Sequence, residues 1–193
     1  MPQIAANTET ELANAALSAI KVGKILSIDA DDTEKAKAVR KHFALVRDAL
    51  QRRYKWNFNE DRLKLAAGGS EPEFDFCNRF PFTPDMLGVR DVRGCRRRDW
   101  KVSGRSVIAN AAAPLKVVAS MRVVNPGVWD ALFKVCFIAA LAYALAPELA
   151  KDDDTIEKAK VAAKDALAAA TPVDAGEGTP DEPEDQDVIL ARF

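Results

Sequence analysis

Apolar residues recur at helical spacing near the start of the chain. Leu12, Ala13, Ala16, Leu17 and Ile20 form one stripe behind Thr8 and Glu11, which have the reciprocal spacing of a capping box, and Gly23 is expected to end this first helix. After the acidic turn DADDT, with Asp31 or Asp32 as cap, Ala36, Val39, Phe43, Val46 and Leu50 recur at three and four residues. The opposite face carries Lys37, Lys41, Arg47 and Asp48, and the two elements read as a helical hairpin. The stretch RRYKWNFNEDRLKL then changes period: Asn57 and Asn59 are poor helix residues, and alternating Leu63 and Leu65 favour an extended path up to the break at Gly68-Gly69.

From Glu73 to Val124 the alternation is short and broken by Pro and Gly. WKVSGRSVI reads as a hairpin turning at Ser103-Gly104, and LKVVASMRV puts Leu115, Val117, Ala119, Met121 and Val123 on one face at a period of two. Helix resumes at Asn125-Pro126, a cap followed by a proline at the first helical position. It is expected to run to Ala146, apolar nearly all round and packed on most sides, with Pro147 ending or kinking it. The run VCFIAALAYALA is shorter than the roughly 18 to 20 residues a bilayer span needs, which favours a buried central helix. A fourth helix begins at the acidic DDDT and is expected to stop at Pro172.

The predicted class is therefore α+β: a bundle of about four helices with a small antiparallel β domain inserted between the second and third. Residues 1–66 form the helical hairpin and aromatic connector, 67–124 the inserted β region, 125–171 the helices completing the bundle, and 172–193 an acidic C-terminal extension. In that extension seven acidic residues and no basic one lie between Asp174 and Asp187. Such a stretch cannot bury enough apolar surface to order itself. It leads into Val188, Ile189, Leu190 and Phe193, an arrangement suited to folding against a partner.

Charge and reactive residues change the picture little. The 28 basic residues nearly balance 29 acidic ones, so electrostatic function has to come from local segregation. Three cysteines, Cys77, Cys95 and Cys136, lack paired spacing, and the start MPQIAANTET lacks a signal peptide, which points to reducing, cytoplasmic synthesis. The single histidine, His42, sits beside an apolar stripe without a nucleophile motif, and neither acidic run continues into a calcium loop. No catalytic, metal or cofactor residue is expected.

Two groups remain. Arg90, Arg93, Arg96, Arg97, Arg98, Lys101 and Arg105, against Asp91 and Asp99, give a local excess of five positive charges that could meet phosphates, the acidic extension of another copy, or solvent. Tyr54, Trp56 and Phe58, together with Trp100 and Trp129, read as core anchors in preference to a base-stacking platform, because they join a helix to a strand.

The order of five segments, "ANAALSAI", "VRDALQRRYKWNFNEDRLKL", "FPFTPDML", "WKVSGRSVI" and "NPGVWDALFKVCFIAALAYALA", resembles the tail tubular protein A family, the head-to-tail adaptors of short-tailed bacteriophages. The resemblance runs from about Glu11 to Gly178; the Arg-rich loop from Arg93 to Asp99 and the chain from Thr179 onward depart from it. It implies a homo-oligomeric ring, commonly of twelve copies, with no active site and no membrane partner. That ring would sit in the virion between the portal protein and a tail tubular protein B-like nozzle, with genomic double-stranded DNA in its lumen. On this reading Val188, Ile189, Leu190 and Phe193 are candidates for docking on the portal, and the basic segment faces DNA or a neighbouring subunit. The competing class is a sequence-independent nucleic-acid-binding protein using the Arg90–Arg105 segment with Trp56.

Overall fold

The computed structural model describes residues 8–70, 72, 74–150 and 152–177. Four α-helices and two small antiparallel sheets make up this part, and the β elements lie between the second and third helices. The fold is α+β, as expected, with two sheets in place of one.

Helix α1 (Glu9–Ala19) starts with the full capping box: Glu11 N–H donates to Thr8 Oγ1 at 3.2 Å, and Thr8 N–H donates to Glu11 Oε2 at 3.0 Å. It ends before Gly23. Lys21 takes the left-handed conformation at φ 58°, and the amides of Lys21 and Val22 close back onto the carbonyls of Ser18 and Leu17. A lysine thus fills the position where glycine is the usual stop. Helix α2 (Glu34–Arg53) is capped by Thr33, whose hydroxyl accepts from Ala36 N–H. Neither Asp31 nor Asp32, the expected caps, fills that position; Asp31 instead accepts from the amides of Leu26 and Thr33 and holds the turn before it.

The two helices do not pack as a hairpin on one another; each lies chiefly on α3 (Ala131–Leu149). Asp130 caps α3 by accepting from Leu132 and Phe133 N–H, and the Asn125-Pro126 signal, expected to start the helix, makes a separate 3-10 turn, Pro126–Val128. Pro147 does not end α3: the helix runs two residues past it to Leu149, and Ala150 N–H reaches Ala146 O. By length and composition alone α3 could cross a bilayer. Here it is the centre of the bundle, contacted by α1, α2 and α4 (Asp153–Glu177), with Phe133, Phe137, Leu141, Leu145 and Ala146 fully buried. Helix α4 continues through Pro172 to Glu177, past its expected stop.

The β region has two three-stranded sheets. In the first, β6 (Leu115–Met121) lies between β1 (Glu60–Leu65) and β3 (Met86–Val92). In the second, β5 (Ser106–Ala109) lies between β2 (Asn78–Pro81) and β4 (Trp100–Ser103). The β4–β5 hairpin pairs Ser103 with Ser106, so its turn is Gly104-Arg105, one residue later than expected, with Gly104 at φ 58°. Leu65, Met86, Val92, Leu115, Val117 and Ala119 from the first sheet meet Phe80, Trp100, Val107 and Ala109 from the second in a separate core.

Strand β6 is buried on both faces. Leu115, Val117 and Ala119 face the second sheet at the expected period, while Val118 and Ser120 are also buried, on the side toward α2. The first sheet is therefore a middle layer, and α2 keeps only part of its expected polar face: Lys37 and Lys41 stay exposed, while its C-terminal part is covered. Arg47 is buried, its Nε 2.8 Å from Asp48, and Asp48 in turn holds Arg122 at 2.9 Å. Gln51, fully buried, donates to Val123 O and accepts from Val123 N–H, imitating a strand partner.

Candidate interaction surface

The aromatic connector is core. Trp56 is 1% exposed, its indole N–H donates to Leu50 O at 3.0 Å, and its ring meets Tyr54, Phe58 and Phe133. Trp129 donates to Val123 O at 2.8 Å and packs edge-on against Phe133 and Phe137. Tyr54 and Phe58 are half-buried against the same cluster, and Trp100 anchors the β core. A base cannot stack on Trp56, whose faces are already covered.

The basic segment divides. Arg90, expected at the surface, is withdrawn from it: its side chain is 6% exposed, and its guanidinium donates to Asn59 Oδ1 (2.6 Å), Trp56 O (2.5 Å), Ser120 Oγ (2.9 Å) and Glu60 Oε2 (3.1 Å). It ties β3 to the connector and to β6. Arg105 is exposed but clamped, reaching the carbonyls of Thr83, Pro84 and Met86 at 3.2–3.3 Å with its guanidinium over Phe82. Arg93 is half-buried, with Nε 3.3 Å from Asp91.

Arg96, Arg97, Arg98 and Lys101 are exposed, on the 3-10 turn Arg97–Asp99 and its two flanks. Arg97 lies over the Trp100 ring at 4.3 Å, and Arg98 Nε is 3.8 Å from Asp99. Buried Trp100 thus gives a cationic turn a fixed base. Beside it, β4 is an edge strand of the second sheet, and β1, with Glu60, Asp61, Arg62 and Lys64, is a charged edge of the first.

The portal-docking candidates Val188, Ile189, Leu190 and Phe193 lie outside the described residues. His42 and Lys41 both reach Glu148, at 3.5 and 3.2 Å, and so link α2 to α3. The Lys41 hydrogen bond holds the Glu148 carboxyl below the ordinary range. Among the described residues, no group of three or more His, Cys, Asp or Glu is placed to hold a metal.

Sequence reasoning missed a groove between α2, α3 and α4, lined by Leu50, Arg53, Tyr143, Lys160, Lys164 and Leu167 among others. The only signal for it was the small side chains of Ala140 and Ala163, which leave space where two helices meet. It also missed the buried polar set of Arg47, Gln51, Asn59 and Arg90, since each sits where a solvated residue would be read.

The cysteines differ in reactivity. Burial, with Asp130 adding to it, pushes the Cys136 thiol up to about 11, whereas Cys77 is exposed. At pH 8 only about one Cys136 in a thousand would be thiolate, and thiolate is the reactive form. Timed alkylation read by mass spectrometry is expected to modify Cys77 first and Cys136 last, with the delay abolished in denaturant.

Compared with known proteins, the chain matches no family model, and no curated protein aligns with it significantly.

Proposed function

We propose that this protein is a structural head-to-tail adaptor of a short-tailed bacteriophage, tail tubular protein A-like, which works as one subunit of a ring, dodecameric by that resemblance, between the portal and the tail nozzle. The observation that carries the reading is the contrast between a finished interior and an unfinished exterior. The two cores leave no described buried side-chain N or O atom without a hydrogen-bond partner. Yet Leu26 is 94% exposed, Phe74 73% and Leu45 68%, and both sheets keep open edges. A subunit that meets neighbours on several sides has this character. Repetition around an axis would also turn the cationic turn of Arg96, Arg97, Arg98 and Lys101 into a belt of charge, directed at DNA or at the adjacent copy.

Electron microscopy of the purified protein with and without portal rings tests this. The expected result is closed rings of about a dozen copies seated on the portal; a chain that stays monomeric and ignores the portal would sink the reading. A chain lacking Val188–Phe193 is expected to lose attachment, and unchanged attachment would remove that segment from docking.

The exposed cationic turn also favours sequence-independent nucleic-acid binding as a second reading. Four phosphate contacts by the monomer would give a slope of about −3.6 in log affinity against log salt on duplex DNA. An adaptor subunit is expected to bind duplex only weakly until assembled.

A further inference from the structure

The groove missed by the sequence has a volume of about 420 Å³, within the range of about 300–1,000 Å³ typical of clefts that hold a ligand. Its floor is apolar, built by Leu50 at the end of α2, Cys136 and Ala140 on α3, and Leu167 on α4. Its rim carries Arg53, Lys160 and Lys164, and no carboxylate is among the described residues that line it. Lys160 engages Glu157 at 3.1 Å from outside the groove. The fitting occupant brings aliphatic side chains for the floor and carboxylates for the rim.

We propose that in the free chain this groove holds the chain's own segment Val188–Leu190, with the acidic stretch Asp181–Asp187 lying along Arg53, Lys160 and Lys164. The segment carries both kinds of group side by side: Asp181, Glu182, Glu184, Asp185 and Asp187 with no cation among them, then Val188, Ile189 and Leu190. The reach suffices. Helix α4 ends at Glu177, about 15 Å beyond Leu167 at helical rise, and residues 178–187 can span up to about 33 Å when extended. A short tether sets the effective concentration of the segment in the millimolar range, above that of a second copy in a micromolar solution. Duplex DNA would match the rim and leave the apolar floor unfilled.

The experiment places a photoreactive residue in the full chain, Leu190→p-benzoylphenylalanine, and irradiates a mixture of light and heavy isotope-labelled protein. Crosslinks are expected at residues 140–143 of α3 and 163–168 of α4, within single chains and at a yield independent of concentration. The double variant Arg53→Glu/Lys164→Glu, both positions being exposed, is expected to keep its melting temperature and lose the crosslink at least five-fold. Crosslinks that map elsewhere, that include light-to-heavy products at their statistical share, or that ignore the charge reversal would overturn the proposal. The inference concerns the free chain: rings that form while the crosslink maps elsewhere would refute the groove and leave the adaptor reading standing.

Discussion

Phe133→Ala is expected to cost about 3–5 kcal/mol of stability, the range for deleting a fully buried aromatic ring. Phe133 has no exposed surface and is the hub of the aromatic cluster, with ring centroids 4.8 Å from Phe58, 5.1 Å from Trp56, 5.1 Å from Trp129 and 6.4 Å from Phe137. These neighbours come from the connector, the residue that closes the Pro126–Val128 turn, and α3, so they cannot close together over the void without moving separate elements. Two of them are tryptophans tied by their indole N–H groups to backbone carbonyls, which fixes them further. Urea unfolding followed by tryptophan fluorescence measures the effect, with Phe133→Leu expected to recover most of it. A loss below about 1 kcal/mol would mean that the connector is not part of the helical core.

Arg90→Ala is expected to cost about 3–4 kcal/mol, because removing one partner of a buried charged network leaves the others desolvated and unpaired. Asn59 Oδ1 and Trp56 O would each lose a donor in a partly buried setting, and the exposed Glu60 would lose its ion-pair partner. Arg90→Lys is not expected to restore stability, since one ammonium cannot replace a planar fork that reaches four acceptors. Arg97→Ala is the matched comparison: an exposed arginine a few residues away, whose loss is expected to change stability by less than about 1 kcal/mol. Equal effects in the two variants, read from denaturation midpoints at constant slope, would return Arg90 to the surface set. Any loss of assembly or DNA binding in Arg90→Ala has to be corrected for this destabilisation, whereas a loss in Arg97→Ala reports on the surface directly.

Much of the helical half was legible because its signals are local. The Thr8–Glu11 box, the stripe of Leu12, Ala13, Ala16 and Leu17, and the predominantly apolar run of α3 each express a local pattern that needs no partner to be recognised. The errors cluster where a distant element intervenes. Arg47 and Gln51 occupy positions that are polar in any helical projection, and they are buried because the first sheet covers that side of α2. Splitting of the β region into two sheets followed from β6 pairing with β1 and β3 while β5 paired with β2 and β4, a choice among partners that alternation alone does not make. Pro147, expected to end or kink its helix, is followed by two more residues of α3, and Pro172, expected to stop the fourth helix, lies inside α4, which runs to Glu177.

By itself, the sequence determined the α+β class, the insertion of the β elements between the second and third helices, the buried central helix and the anchoring role of the aromatics. All of these rest on the spacing of apolar side chains within one element, which hydrophobic burial enforces whatever lies opposite. Only the tertiary structure decided which cations are free to act. Arg90 and Arg97 are indistinguishable in a charge count, but one guanidinium is drawn inward by carbonyl and carboxylate oxygens on the connector and β1, and the other stands on Trp100 in solvent. Desolvating a guanidinium is tolerable only where several acceptors converge on it. That convergence is a property of folded elements, brought together across about thirty residues of chain.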